Sequence, residues 1–231
     1  VECARSVLEQ TYEAIEVLVV DDASTDNTEE KVKSIEDDRV RYIANEENKG
    51  GGAARNTGIE AAKGEYIAFL DSDDAWKSSK LEKQIEKLDN SPSDTKIAYC
   101  GRYNRFYDTN LLIQADIEFK SENIYAELLR GWMDALTSQL VIHSSCFDKV
   151  EGFDESFPSF QEYDLLVRMT EHFDATYVEE PLVEKIEGGE SISSSYLNRL
   201  QGLERFLDKH EGRLESVEGA GAEELYKSRI T

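Results

Sequence analysis

Three carboxylates fall within four positions, Asp71-Ser72-Asp73-Asp74, directly after the apolar run Tyr66-Ile67-Ala68-Phe69-Leu70. Like charges this close repel one another, and stability alone gives no reason to collect them. A divalent cation does, because hard oxygen ligands suit magnesium, manganese or calcium. In extended chain, side chains two apart point the same way, so Asp71 and Asp73 could face one ligand. A solvated turn with a helix-capping aspartate explains a bare Asp-x-Asp equally well. A second pair, Asp21-Asp22, ends the apolar run Val17-Leu18-Val19-Val20. Neither cluster is a calcium loop. Counted from Asp22, Asn27 and Lys33 stand where glycine and the terminal glutamate belong; counted from Asp71, Ala75 and Trp76 take the fifth and sixth places.

The run Lys49-Gly50-Gly51-Gly52 leads toward Arg55. Arg55 breaks the dinucleotide fingerprint, and no Gly-Lys-Ser/Thr follows to make a P-loop. The segment is either a flexible turn before a helix or a set of backbone amides and one guanidinium suited to an anion.

The elements that must position these groups alternate. Val17–Val20 reads as a strand buried on both faces. A charged helix is expected from about Asp26 to Glu36, with Asp26 and Glu29 as an N-terminal capping pair. Val40–Ile43 reads as a second strand, Ala53–Ala62 as a helix, and Tyr66–Leu70 as a third strand. This βαβ rhythm predicts an α/β fold with a mostly parallel sheet, in which ligands collect beyond the carboxyl ends of the strands. Both acidic clusters lie at that edge, so Asp22 and Asp73 should approach each other. Further on, Ile97–Tyr107 reads as a strand followed by polar, loop-like sequence. Ile124–Arg130 reads as a helix and Val141–Ile142 as a strand. Helices are expected from Tyr163 to His172 and from Leu197 to Lys209.

Composition narrows the partners. With 26 basic and 49 acidic side chains the net charge is −23, which opposes nucleic-acid binding through a basic face. Either an ordinary solvated surface or one suited to high salt accounts for the excess. Cys3, Cys100 and Cys146 are too far apart for a disulfide framework or a paired metal spacing, and His143, His172 and His210 begin no zinc motif. No apolar run spans a bilayer. The default expectation is a cytoplasmic protein, with a peripheral position at the inner membrane face left open.

Taken together, the segments resemble family 2 glycosyltransferases of the GT-A fold. The resemblance rests on Ser6–Tyr12 (SVLEQTY), Val19–Asp26 (VVDDASTD), Asn48–Gly58 (NKGGGAARNTG) and Gly64–Asp74 (GEYIAFLDSDD), then Gly152–Glu155 (GFDE) and Gln161–Leu165 (QEYDL). It covers about two-thirds of the chain with order preserved. The resemblance implies that Asp22 contacts the nucleotide base, Asp71 lies near the ribose, and Asp73 binds a divalent cation, Mn2+ or Mg2+, on the diphosphate. Arg55 would lie beside the donor. Glu162 takes the place of the acceptor-activating base, where many members have aspartate. Asp74 receives no firm role. The chemistry implied is inverting transfer from a nucleotide-sugar donor, UDP-linked in most of the resembled family, to a hydroxyl of a glycan or lipid-linked acceptor. Two departures stand out: the family's first strand is missing from the sequence, and Glu187 stands near a position where many members carry histidine.

The resemblance divides the chain into a nucleotide-sugar-binding half (1–105), an acceptor-binding half of the same domain (106–190) and a helical tail (191–231). A non-catalytic nucleotide-sugar-binding module is the alternative, made plausible by the missing strand. A nucleotidyltransferase would need a basic, glycine-rich phosphate loop near the start, which the sequence does not have.

Overall fold

The computed structural model describes residues 2–106, 111–115, 123–131, 136–187 and 196–218. The chain opens with helix α1 (Glu2–Leu8), followed by β1 (Val17–Asp21), α2 (Thr28–Lys33), β2 (Val40–Ala44), α3 (Gly51–Ala61) and β3 (Tyr66–Ala68). Strands β1 and β2 pair in parallel, Val17 opposite Val40 through Asp21 opposite Ala44. The expected βαβ unit is therefore present.

Several local expectations need correction. Helix α2 begins at Thr28, and no side chain caps it. Asp26 Oδ1 accepts from the Thr28 amide at 3.0 Å and its hydroxyl at 2.5 Å, an Asx turn that competes with a capping pair. Glu29 instead reaches forward to Lys33 at 2.5 Å. Helix α3 starts at Gly51, so Gly51 and Gly52 belong to its first turn. Its N-cap Gly50 has φ 91°, a left-handed backbone that glycine adopts without a Cβ clash. Strand β3 stops at Ala68, and Asp71–Asp74 close a turn in which the Asp74 amide donates to the Asp71 carbonyl at 3.1 Å. Asp71 and Asp73 do not lie side by side in extended chain.

Next come β4 (Ala75–Trp76), α4 (Lys80–Asp89), β5 (Thr95–Phe106), β6 (Leu111–Gln114), α5 (Ile124–Leu129), β7 (Val141–His143), α6 (Cys146–Lys149), α7 (Gln161–Thr170), β8 (Asp174–Glu187) and α8 (Tyr196–Glu215). Helix α4 and the long β8 have no counterpart among the expected elements, and β6 replaces expected loop. Leu81, Ile85 and Leu88 of α4 are buried and recur at helical spacing, but six charged neighbours dilute the pattern. Tyr107 and residues 188–195 lie outside the described residues.

The larger sheet runs β3-β7-β5-β8-β4, with β6 beside β5. It is mixed. The long β5–β8 ladder is parallel, the other pairings antiparallel. Strand β5 divides the core by its alternation. Ile97 and Tyr99 pack with Phe69, Leu128, Phe157, Leu166 and Phe206, whereas Ala98 and Cys100 pack with Val7, Trp76, Leu81 and Val183. Cys100 and Cys146 are buried free thiols and Cys3 is a half-buried one.

The β1–β2 ladder forms a separate two-stranded sheet. Between β1 and β3 lies an apolar cleft of about 480 Å3, walled by Leu18, Val20, Ala54, Gly58, Tyr66 and Ala68. Val17 donates to Arg39 and Asp21 accepts from Asn45 on the β2 side. In a parallel ladder the intervening residues Leu18 and Val20 then turn their backbone groups toward the cleft.

Candidate active site

The carboxyl ends of β1 and β3 form one edge, and the acidic residues sit there for different local reasons. Asp21 is buried and accepts from the Ser24 amide at 2.8 Å and the Tyr42 hydroxyl at 2.6 Å. Hydrogen bonding by the Ser24 side chain, then by the Tyr42 hydroxyl, holds its carboxyl below the ordinary range, while the Tyr42 phenol is pushed up to about 12. Asp22 turns toward the loop before α3. It accepts from Asn45 Nδ2 at 2.9 Å, from the Lys49 amide at 3.1 Å and from the Gly50 amide at 2.6 Å. Asp22 thus ties the tip of β1 to the glycine-rich entry of α3. Ala23, next to it, has φ 60°, a strained backbone for a residue with a Cβ and a frequent companion of functional sites.

Arg55 projects from α3 and joins two other parts of the chain. Its Nη2 donates to Asp71 Oδ1 at 2.7 Å and its Nη1 to Gln161 Oε1 at 3.0 Å. Burial works against the guanidinium charge, but Asp71 and, behind it, Glu162 outweigh that and raise its pKa. Gln161 was not among the expected site residues. Its amide occupies the space where a Cβ on Gly52 would lie, 3.2 Å from Nε2, and Arg55 fills that beside Gly51, 3.1 Å from Nη1. The glycines therefore serve close packing as well as the turn. No spacing in the sequence links residues 52 and 161; only their neighbours, Arg55 and Glu162, hinted at the region.

The acidic turn has three distinct carboxylates. Asp71 accepts from Arg55 and from the Thr137 hydroxyl at 3.2 Å, and its amide donates to Ser138 Oγ at 3.1 Å. Trp76 Nε1 donates to the Ser138 carbonyl at 2.8 Å, bracing the same segment. Asp74 is buried, which pushes its carboxyl up to about 7 against an opposing Ser138 hydrogen bond, with the charges of Asp71 and Asp73 adding to the rise. Asp73 is exposed at the tip of the turn.

These donors bear on how a divalent cation could be held. Among the described residues no group of three or more carboxylate, histidine or cysteine side chains is arranged around one point. A protein cage is therefore absent there. One exposed carboxylate with two others in the same turn still fits a hard cation whose remaining ligands come from substrate phosphates and water. Magnesium and manganese suit that arrangement.

Glu162 lies in the first turn of α7 and is half-buried, so it is not a cap preceding a helix that starts at Tyr163. The helix begins two residues earlier, behind Phe160, whose φ of 66° is left-handed. The links run in a chain: Asp22 to the Gly50 amide, Gly50 along α3 to Arg55, Arg55 to Asp71 and Gln161, and Gln161 to its neighbour Glu162. Asp22, Arg55, Asp71 and Glu162 thereby gather at one edge, with Asp73 two residues beyond Asp71. Glu187 is the last residue of β8, opposite Phe106, and its side chain lies outside the described residues.

Comparison with known proteins decides the family. The family model described as glycosyl transferase family 2 matches residues 1–148. The chain belongs to that family. It is 52% identical over 83 residues to the Escherichia coli UDP-Glc:alpha-D-GlcNAc-diphosphoundecaprenol beta-1,3-glucosyltransferase WfgD, covering 36% of this chain and 33% of that protein. An uncharacterized glycosyltransferase of Rickettsia typhi, RT0329, is 31% identical over 208 residues, covering 88% of this chain and 64% of the relative. The chain thus spans about a third of the first relative's length and under two-thirds of the second's. Among solved structures, S. aureus TarS 1–349 in complex with UDP-GlcNAc superposes with TM-score 0.72 at 20% identity, over 98% of this chain and 66% of that one. The fold is GT-A. Among the described residues no helix is long and apolar enough to cross a membrane.

Proposed function

We propose that this glycosyltransferase-family chain moves a sugar from a UDP-linked donor to a hydroxyl of a lipid-linked or glycan acceptor, with inversion, using Glu162 as base and Asp73 as metal ligand. The observation that carries the reading is the Arg55 junction. One guanidinium holds Asp71, at the acidic turn, and Gln161, the neighbour of Glu162, at 2.7 and 3.0 Å. With Asp71 read as donor side and Glu162 as acceptor side, this junction supports the positioning that a single displacement needs. Related proteins supply the substrate class: WfgD is named for UDP-Glc and a diphosphoundecaprenol-linked acceptor, and TarS is seen with UDP-GlcNAc.

Each residue has a task. Asp22 and the Gly50–Gly52 amides would hold the nucleotide end, with Asp22 sharing its oxygens between the loop and the base. Asp71, locked by Arg55 and Thr137, would meet the ribose. Asp73 would hold a manganese or magnesium ion, which offsets the charge that grows on the leaving diphosphate. Glu162 would take the acceptor hydroxyl's proton as that oxygen attacks the anomeric carbon from the face opposite the diphosphate.

Thermal-shift titration with UDP-GlcNAc and UDP-glucose, each with and without manganese, tests donor and metal together. A manganese-dependent rise in melting temperature that disappears in Asp73→Ala is expected. An equal rise without metal, or one retained in Asp73→Ala, would remove Asp73 from its role.

A further inference from the structure

Helix α8 lies beyond the residues matched by the family model and outside the expected site, yet one face of it meets the entry of α7 at three successive turns. At Gly202 a Cβ would sit 2.7 Å from the Ser159 carbonyl oxygen and 3.0 Å from its carbon. The α8 backbone is therefore seated directly on the chain before Phe160. One turn on, the ring of Phe206, 1% exposed, lies 6.3 Å from that of Phe160, the left-handed residue that turns the chain into α7. A turn further, His210 Nε2 meets Asp164 Oδ1 at 3.0 Å and Lys209 Nζ meets the same oxygen at 2.7 Å.

Asp164 is fully buried, two residues after Glu162. Its other oxygen accepts from Arg168 at 3.0 and 2.8 Å, and Arg168 also donates to the Glu151 and Gly152 carbonyls. Asn56, beside Arg55 on α3, holds the next residue through both backbone groups of Phe153, at 2.9 and 2.7 Å. A closed circuit of contacts thus runs from α8 through the first turn of α7 to α3. Residues 202, 206 and 209 share one helical face, and His210 follows where α8 kinks, at φ −109°.

We infer that α8 is a clamp that sets the pose of Glu162, with Gly202, Phe206 and the His210–Asp164 pair as positioning residues. The inference rests on Glu162 being the base. A general base works only within hydrogen-bond reach of its proton, and a displacement of about 1 Å costs on the order of a hundredfold in rate. Donor binding, assigned to Asp22, Asp71 and Asp73, is reached from the circuit only through Arg55 and should be spared.

Gly202→Ala and Gly212→Ala in the full chain test this. A methyl at 202 must displace the Ser159 backbone, whereas nothing lies within 4 Å of one at 212, so the second variant controls for helix propensity. UDP release from UDP-GlcNAc and UDP-glucose is followed with manganese and an N-acetylglucosaminyl diphospholipid acceptor, beside calorimetric titration with UDP. Gly202→Ala should lose at least tenfold in kcat at unchanged UDP affinity, Gly212→Ala should match wild type, and Gly202→Ala should add no further loss in a Glu162→Gln background. A Gly202→Ala protein that turns over like Gly212→Ala, or whose loss adds in full to that of Glu162→Gln, overturns the clamp. If Gly202→Ala does not fold, Lys209→Met, which removes the half-buried ion pairs to Asp154 and Asp164, takes its place, and the same outcomes support or overturn the clamp. Wild-type turnover in Glu162→Gln would instead sink the base assignment, a result distinguishable from a silent Gly202→Ala beside an inactive Glu162→Gln.

Discussion

Arg55 is the residue through which the two sides of the site meet, and its planar fork explains why lysine cannot replace it. Two separate nitrogens donate to Asp71 and Gln161, and a point-charge ammonium on a flexible stem cannot hold both directions at once. Arg55→Lys should therefore weaken UDP binding by roughly tenfold, about 1.4 kcal/mol, as read by calorimetry with manganese. Unchanged affinity would mean that Arg55 orders the protein without touching the donor side. At this scale the sequence was informative where residues act near their neighbours in the chain. The placement of Asp71 and Asp73 just after a strand, and of Glu162 at the start of a helix, was legible from strand ends and motif order. Gln161 and Thr137 were not, because their partners are 106 and 66 residues away, and contacts at that range leave no periodic trace. Asp26 shows the opposite failure. Its spacing to Glu29 suggested a capping box, but the nearer Thr28 amide and hydroxyl won the carboxylate.

Among the elements, α7 and its partner α8 hold the most specific electrostatics. Hydrogen bonds from His210, Lys209 and Arg168 outweigh the desolvation of Asp164 and hold its carboxyl well below the ordinary range. A carboxylate depressed in this way stabilises the fold fully above its unfolded pKa, and that contribution is lost as pH falls through the folded value. Asp164→Asn should thus destabilise the protein at pH 7 by about 3 kcal/mol, since it leaves buried cations with a weaker partner. The gap in melting temperature between wild type and variant should close steadily as pH drops below about 4. A gap that stays constant across that range would show that the interaction is not ionic. Helix α7 itself was legible as an amphipathic run, displaced by two residues at its start. The displacement arises at Phe160, whose left-handed backbone turns the chain into the helix beside Phe206 of α8. Strand β8 escaped notice because Glu179, Glu180 and Pro181 interrupt it. The register against β5 shifts there, at Gly101, whose Cβ would lie 3.0 Å from the Glu179 and Glu180 carbonyls.

For the whole molecule, the net charge of −23 should make stability depend on screening. Self-repulsion between exposed carboxylates extends over a Debye length of about 10 Å at 0.1 M salt and about 3 Å at 1 M. The melting temperature should rise by several degrees between dilute buffer and about 1 M KCl; a flat or falling curve would show that local pairs such as Lys33–Glu29 already neutralise the surface. The α/β class and the βαβ unit were visible in the sequence as a whole, but the split into two sheets was not. It depends on which strand edges meet in space, and the apolar cleft between β1 and β3 has no signature in either strand alone. The central claim, that transfer depends on Glu162 across a donor site that does not need it, is tested most directly by one paired measurement. Wild type and Glu162→Gln are compared for manganese-dependent release of UDP from UDP-GlcNAc and UDP-glucose in the presence of acceptor, with UDP affinity measured on the same samples. A loss of at least a hundredfold in turnover at unchanged affinity is the predicted result. Turnover within a few-fold of wild type, or a parallel loss of UDP binding, would contradict it.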